Sequence, residues 1–377
     1  MTHNHVMFVS SSVGAGHNQA AAALLAGLKT QAPSVRAEFI DALEYVPWWF
    51  RCAYAGGYET MVTKFPRLYG LGYRLNNRPK TARRKIGERL RLRLEWRALK
   101  RLRRHLLQQR PALIMATHYL AMPMIGRLIR TAATDLRMMA VVTDNEAHRF
   151  WYSENVERWF VANDRVVEEL RAWDVEPERI TVSGIPVHPK WTIPPDKDKT
   201  RREWSLPADG PIVLLSGGAY FTVGPIERIA AGIIAETNAH VAVLAGSNKK
   251  LLARLSQMPE SPGRLTPVPM TDRLNELAAV ADVMVTKSGG LMTSECIASG
   301  TAMVLTKPVP GQEAANAELL VRRRAAVVAP TSDQVISQVR RLLGAPAETE
   351  SLRANARSLY KPATETIVSA ILEAIQS

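Results

Sequence analysis

Short apolar runs alternate with longer stretches of helix-forming residues along this chain, and the series occurs twice. In the first half, Val6–Ser10, Ala37–Ile40, Leu113–Ala116, Met138–Thr143, Arg158–Val161 and Ile180–Val182 read as strands. In the second half, Pro211–Gly218, His240–Gly246, Leu265–Met270, Asp282–Gly290, Ala302–Lys307 and Ala325–Ala329 repeat the pattern. Strands spaced by helical stretches are βα units, so each half predicts a parallel, doubly wound sheet. Gly184–Pro211 separates them and is rich in proline and charge, the composition of a linker. The expected organisation is therefore α/β: a domain at 1–190, a linker at 191–210, and a second domain at 211–350. Two terminal helices at 351–377 are expected to pack back on the first domain. Ligands of such sheets bind outside the carboxyl ends of the strands, so chemistry is expected in the loops that follow them.

The first such loop is unusual. "SSSVGAGHNQAAAALLAGL" (Ser10–Leu28) joins a strand to a helix through Gly14 and Gly16 and opens the helix with His17. Glycines let a backbone approach a ligand closely, and the helix N-terminus attracts anions. Yet Gln19 stands where a dinucleotide fingerprint needs a third glycine, and no Gly-Lys-Ser/Thr makes a phosphate loop. A plain βα turn carrying a chance histidine is the bland alternative.

Three loops of the second half add more. Ser288-Gly289-Gly290 precede a helix carrying Glu295. That glycine turn offers N–H groups to a diphosphate, and the glutamate can reach back to a ribose. "KPVPGQEAANAELL" supplies Gln312, Glu313 and Asn316, amide and carboxylate groups suited to sugar hydroxyls. Gly217 and Gly218 form a further turn ahead of a helix. Together they describe a nucleotide-sugar pocket.

Charge changes the picture in one place. The chain has 377 residues, 46% of them hydrophobic, and a formal net charge of +14. From Arg74 to Arg110 there are 15 Lys and Arg against Glu88 and Glu95, so this window alone carries +13. It includes Arg83, Arg84, Arg103 and Arg104, and leucines thread through it. Immediately upstream, Tyr45–Leu75 is dense in aromatics, among them Trp48, Trp49 and Phe50. Rings beside arginines suit an anionic membrane surface; single-stranded nucleic acid uses the same residue types, and a solvated helix face is the plain alternative. The intact sugar loops weigh against nucleic acid. No long apolar run predicts a membrane span, and the N-terminus lacks the pattern of a signal peptide. Cys52 and Cys296 are too few for a disulfide framework or a metal cluster. A reducing cytoplasm is expected.

The chain resembles the monogalactosyldiacylglycerol synthase and processive diacylglycerol glucosyltransferase family, relatives of the GlcNAc transferase of lipid II synthesis. The resemblance rests on "SSVGAGHNQAA", "VVTDNEAHRFW", "ERITVSGIPVHPKW", "TKSGGLMTSE" and "PVPGQEAANA" and covers nearly the whole chain. Gly217-Gly218-Ala219-Tyr220-Phe221 departs from it, being poorer in glycine than the family's loop. The resemblance implies a GT-B glycosyltransferase of two Rossmann-like domains facing across a cleft. It would move a hexose from a UDP-sugar to diacylglycerol with inversion, peripherally, on the inner face of the cell membrane. His17 would then be the base, with Asp144 as rival base or orienting partner; an N-cap is the plain reading of Asp144. His148 and Trp151 would fix the loop after Asp144, and His118 has both a cleft-edge and a core reading. No metal is expected: Asp196-Lys197-Asp198, the one Asp-x-Asp, sits among prolines and reads as a solvated turn. A lipid II-type transferase and a non-catalytic sugar-nucleotide binder are the alternatives.

Overall fold

The computed structural model describes residues 4–13, 16–57, 60–61, 65, 68, 82–131, 134–217, 225–260 and 263–376, with the side chains of 82–86 excepted. Gly14, Gly218 and the side chains of Arg83 and Arg84 lie outside the described residues. The chain divides into two compact units. The first comprises residues 1–189, 310–312 and 361–377; the second comprises 190–309 and 313–360.

In the first unit, β1 (His5–Ser10) leads into α1 (Gly16–Gln31), β2 (Arg36–Asp41) and a one-turn α2 (Trp48–Arg51). Two basic helices follow, α3 (Ala82–Ala98) and α4 (Lys100–Gln109). β3 (Leu113–Ala116), α5 (Met122–Thr131), β4 (Met138–Val141), β5 (Arg158–Val161), α6 (Asp164–Arg171) and β6 (Ile180–Val182) complete the series. All strands are parallel, in the order β2-β1-β3-β4-β5-β6. The order reverses at β1, so the switch point lies between β1 and β3.

β1 shows why an unbroken apolar run is needed. Met7 and Val9 enter the core on one face while Val6 and Phe8 enter the core on the other. A strand with helices on both sides has no polar face. The last helix of the chain, α15, closes the second of these cores, and Gly27 of α1 permits it. A Cβ on Gly27 would lie 2.6 Å from Thr364 Cγ2, inside van der Waals contact.

The second unit holds α7 (Lys197–Glu203), β7 (Ile212–Ser216), α8 (Ile226–Glu236), β8 (His240–Gly246), α9 (Lys249–Ser256), β9 (Leu265–Pro269) and α10 (Leu274–Val280). Then come β10 (Val283–Thr286), α11 (Gly290–Ser299), β11 (Ala302–Leu305), α12 (Gln312–Arg322), β12 (Ala326–Val328), α13 (Ser332–Gly344) and α14 (Pro346–Ser358). Its parallel sheet runs β12-β11-β10-β7-β8-β9, a doubly wound order with its switch between β7 and β10. The chain returns to the first unit with α15 (Ala363–Gln376).

Two boundaries differ from the sequence reading. Residues 191–210, expected as a linker, are part of the second unit and contribute α7. Asp196 caps that helix by accepting from the Lys199 N–H at 3.0 Å, which accounts for the Asp-x-Asp. Of the terminal helices, α15 joins the first unit but α14 stays with the second, where Arg353 donates to the Ala281 and Asp282 carbonyls.

Candidate functional site

In the first unit the switch point gathers three histidines. His17 is the second residue of α1, directly after β1. Thr117 and His118 follow β3, Thr143 follows β4, and His148 ends the next loop. His17 Nδ1 lies 3.2 Å from the Thr117 carbonyl oxygen and 2.7 Å from Thr143 Oγ1. Thr117 also donates its hydroxyl to the His17 carbonyl at 3.1 Å. The His17 and His118 rings meet edge to face with centroids 4.6 Å apart. Tyr119 stacks on His118 at 4.2 Å and meets His148 edge-on at 4.8 Å.

Burial keeps all three imidazoles neutral, because removing a cation from water is unfavourable. It brings His17 down to about 4, opposed by its bond to Thr117, and His148 down to about 3. His118 is held well below its ordinary value by burial and then by the neighbouring histidines. His118 Nδ1 accepts the Leu120 N–H at 3.0 Å, and His148 Nδ1 accepts the Phe150 N–H at 3.2 Å. These two rings are thus tied to their own loops. His17 is instead fixed by residues 100 and 126 positions away in sequence.

The loop after β4 is firmly anchored. The Ala147 N–H donates to Glu169 at 2.6 Å, and Asn163 Nδ2 reaches Asn145 at 3.0 Å. Asp144 is buried and accepts from Gln312 Nε2 at 2.7 Å, residues 310–312 being counted with the first unit. The glycine turn before α1 is tied down on its upstream side. Asp41, at the end of β2, accepts from the Ser12 N–H at 3.2 Å and from the Ser12 hydroxyl.

Of the aromatics assigned to a membrane, Trp48 is 79% exposed and Trp49 is 45% exposed, but Phe50 is only 5% exposed. This corrects the grouping. Successive residues of a helix point about 100° apart, so three in a row cannot share an outer face. Phe50 instead packs in the core and stacks on Tyr54 at 5.6 Å. Trp151 is wholly buried in the same core. Among the arginines, Arg104 is exposed. Arg103 lies over the Trp96 ring at 4.1 Å, with Arg127 also against that ring at 4.2 Å. Leu99, Leu102 and Leu106 are buried, so α4 serves the core as well as the surface.

In the second unit the switch point gathers hydroxyls and carboxylates. Ser216 and Thr286 end neighbouring strands and Thr306 follows the next one; all three are buried, and among the described residues none of their hydroxyls has a hydrogen-bond partner. Buried hydroxyls are normally satisfied, so this row marks an unusual polar floor at the carboxyl edge of the sheet. Gly217, buried, follows directly. The helix α11 starts at Gly290 behind Gly289, with no side chain capping it. Its leading N–H groups have the donor geometry for an anion.

Lys287 forms an ion pair with Glu313 at 2.8 Å, and the other Glu313 oxygen accepts the Val309 N–H at 3.1 Å. Ser288 donates to the Glu313 carbonyl at 2.8 Å, and Asn316 donates to the Ser288 carbonyl at 2.8 Å. Glu313 and Asn316, expected on sugar hydroxyls, thus clamp the loops after β10 and β11 to one another. Glu295 is 8% exposed. Burial pushes its carboxyl up to about 8, against the opposing pull of Lys190 and a hydrogen bond from the Trp191 side chain.

Two parallel doubly wound units of this kind constitute the GT-B fold, and solved structures of that class match the chain along its length. MurG of Acinetobacter baumannii matches with a TM-score of 0.60 at 17% identity, covering 98% of this chain and 99% of that one. The UDP-GlcNAc 2-epimerase of Neisseria meningitidis, bound to UDP-GlcNAc, matches at 0.62 with 12% identity, covering 98% and 100%. WaaG, a glycosyltransferase involved in lipopolysaccharide biosynthesis, shares the scaffold with this epimerase, so the fold by itself does not assign the reaction. Residues 17–187 match the monogalactosyldiacylglycerol (MGDG) synthase family, which covers the histidine site from His17 onward. The chain is 31% identical over 235 residues to a processive diacylglycerol β-glucosyltransferase of Bacillus licheniformis, covering 62% of this chain and 61% of that protein. The protein of the same name from Bacillus thuringiensis is 29% identical over 277 residues, covering 73% and 71%. Against the Bacillus pumilus, Bacillus licheniformis and Bacillus subtilis relatives the match spans about three fifths of their length.

Proposed function

We propose that the protein is an inverting glycosyltransferase that moves a hexose from a UDP-sugar to the free hydroxyl of diacylglycerol at a membrane surface. The observation that carries this reading is His17: a neutral imidazole at the switch point of the first sheet, opening the segment that matches the MGDG synthase family. His17 takes the proton from the acceptor hydroxyl as its oxygen attacks the anomeric carbon. The new bond joins that oxygen to the anomeric carbon, the bond to the diphosphate oxygen breaks from the opposite face, and UDP leaves with the electron pair. The second unit holds the donor. The uncapped N-terminus of α11 bears the diphosphate charge, so this reading requires no metal ion. Asp144, buried beside the same site, is the rival for the proton.

The acceptor dissolves in a bilayer, and the first unit carries surfaces suited to one. Trp48 and Trp49 are exposed, and Arg89, Arg93, Arg97, Lys100, Arg101 and Arg104 present exposed cations on α3 and α4. No described helix is long and apolar enough to cross a membrane. The enzyme acts peripherally, on the cytoplasmic face where UDP-sugars are made. The test is to incubate the purified protein with diacylglycerol liposomes and UDP-glucose, UDP-galactose or UDP-GlcNAc in turn, and to identify the product by mass spectrometry. A hexosyl diacylglycerol is the expected product. Turnover only with a polyprenyl-diphosphate acceptor would assign the chain to cell-wall synthesis, and UDP binding without any turnover would make it a binding protein.

A further inference from the structure

We infer that Thr117 and Thr143 form a clamp that fixes His17 as the Nδ1–H tautomer and so leaves the lone pair on Nε2 for the acceptor hydroxyl. The inference rests on the base role proposed above and adds the residues that make it possible. A backbone carbonyl can only accept a hydrogen bond, so the Thr117 oxygen 3.2 Å from Nδ1 requires a proton on that nitrogen. A bare Nδ1 would set two acceptors against each other. With the proton on Nδ1, Thr143 Oγ1, 2.7 Å away, can only accept as well, sharing that proton with the Thr117 carbonyl in a three-centre bond. Among the described residues Nε2 makes no hydrogen bond.

The clamp also grips the backbone. The Thr117 hydroxyl donates to the His17 carbonyl at 3.1 Å, so one residue holds both the ring and the main chain of the helix's second residue. The two threonines sit at the ends of β3 and β4, the strands next along the sheet from the one that delivers His17. In many catalytic histidines a carboxylate takes the Nδ1 proton and stabilises the cation. Two neutral oxygens fix the same tautomer without that charge. His118 and His148 provide the contrast, since each accepts a backbone N–H at Nδ1 and therefore carries its proton on Nε2.

Long-range proton–nitrogen NMR on the full chain labelled with [¹⁵N]histidine reads tautomers directly, and His17→Ala assigns the signal by its loss. The wild type should show Nδ1–H for His17 at neutral pH. Thr143→Val should lower kcat about tenfold, the rate equivalent of one hydrogen bond, with the KM for the UDP-sugar unchanged. Thr143→Ser, which keeps the hydroxyl, should restore kcat. An Nε2–H signal or an imidazolium in the wild type overturns the clamp, and so does a Thr143→Val enzyme of normal kcat. Should His17→Ala retain full activity while the Nδ1–H signal stands, the clamp holds and the base reading fails.

Discussion

The two switch points of this molecule have the same architecture and opposite chemistry. In the first unit the strand ends present imidazoles; in the second they present hydroxyls, a lysine and carboxyl groups. Burial acts on both, and in both it favours the uncharged form. For His17 that lowers the affinity for a proton to about 4 and leaves a neutral base, whereas for Glu295 it raises it to about 8 and leaves a neutral acid at physiological pH. One physical cause thus leaves one unit with an unprotonated imidazole and the other with an uncharged carboxyl that can donate a hydrogen bond without adding negative charge.

The sharpest way to break this comparison is His17→Ala. General-base catalysis contributes about 10²–10⁴-fold, so transfer to diacylglycerol should fall by that factor while UDP affinity, which the proposed function assigns to the second unit, stays within twofold. Single-turnover transfer and UDP titration calorimetry measure the two separately. Near-normal transfer would remove His17 from the chemistry and leave Asp144 as the base.

A second test separates the units by their surfaces. Exposed Lys and Arg near an anionic bilayer each contribute about 1 kcal/mol, screened over a Debye length of roughly 8 Å at physiological salt. Reversing Arg93, Arg97, Arg101 and Arg104 to glutamate should therefore cut liposome binding by at least about tenfold and spare UDP binding. Arg103 is best left in place, because its stacking on Trp96 would confuse folding with membrane binding. Flotation with neutral and anionic vesicles checks this, and equal binding to both by the wild type would reduce the basic helices to a solvated face.

A smaller effect comes from Glu295. Its folded value of about 8 lies above the ordinary 4.5, so between these values the folded protein holds a proton that the unfolded chain has lost. Stability then declines as pH rises through that window. Glu295→Gln removes the titration. Its Tm relative to wild type should therefore rise by about 3–5 °C between about pH 5 and pH 9, measured by calorimetry without UDP. A difference independent of pH would mean that Glu295 titrates normally.

Much of the fold was legible because its signal is local. Among the described residues the twelve strands fall where the short, mainly apolar runs of the sequence place them, and each ladder is parallel, as the βα spacing requires. His17 was legible as an odd residue at a helix start. What escaped was set by contacts between distant positions. Thr117 and Thr143 look like ordinary strand ends until the sheet brings them to His17. Trp191 reads as linker until it folds against Glu295. Glu313 and Asn316 are polar residues beside a glycine loop, and composition cannot distinguish holding that loop from holding a sugar. Phe50 was misassigned for a simpler reason: an aromatic triplet suggests one surface, and helical geometry divides it.

If His17 is the base, it stays neutral, and so able to take the acceptor's proton, well below the ordinary imidazole pKa. The pH dependence of kcat on diacylglycerol liposomes at saturating UDP-sugar tests it most directly. The rate should be level from about pH 8 down to about pH 5 and fall only as pH approaches 4, where His17 gains its proton. An acid limb centred near the ordinary value of 6.5 would show a solvated histidine titrating freely, and would overturn the buried, neutral base.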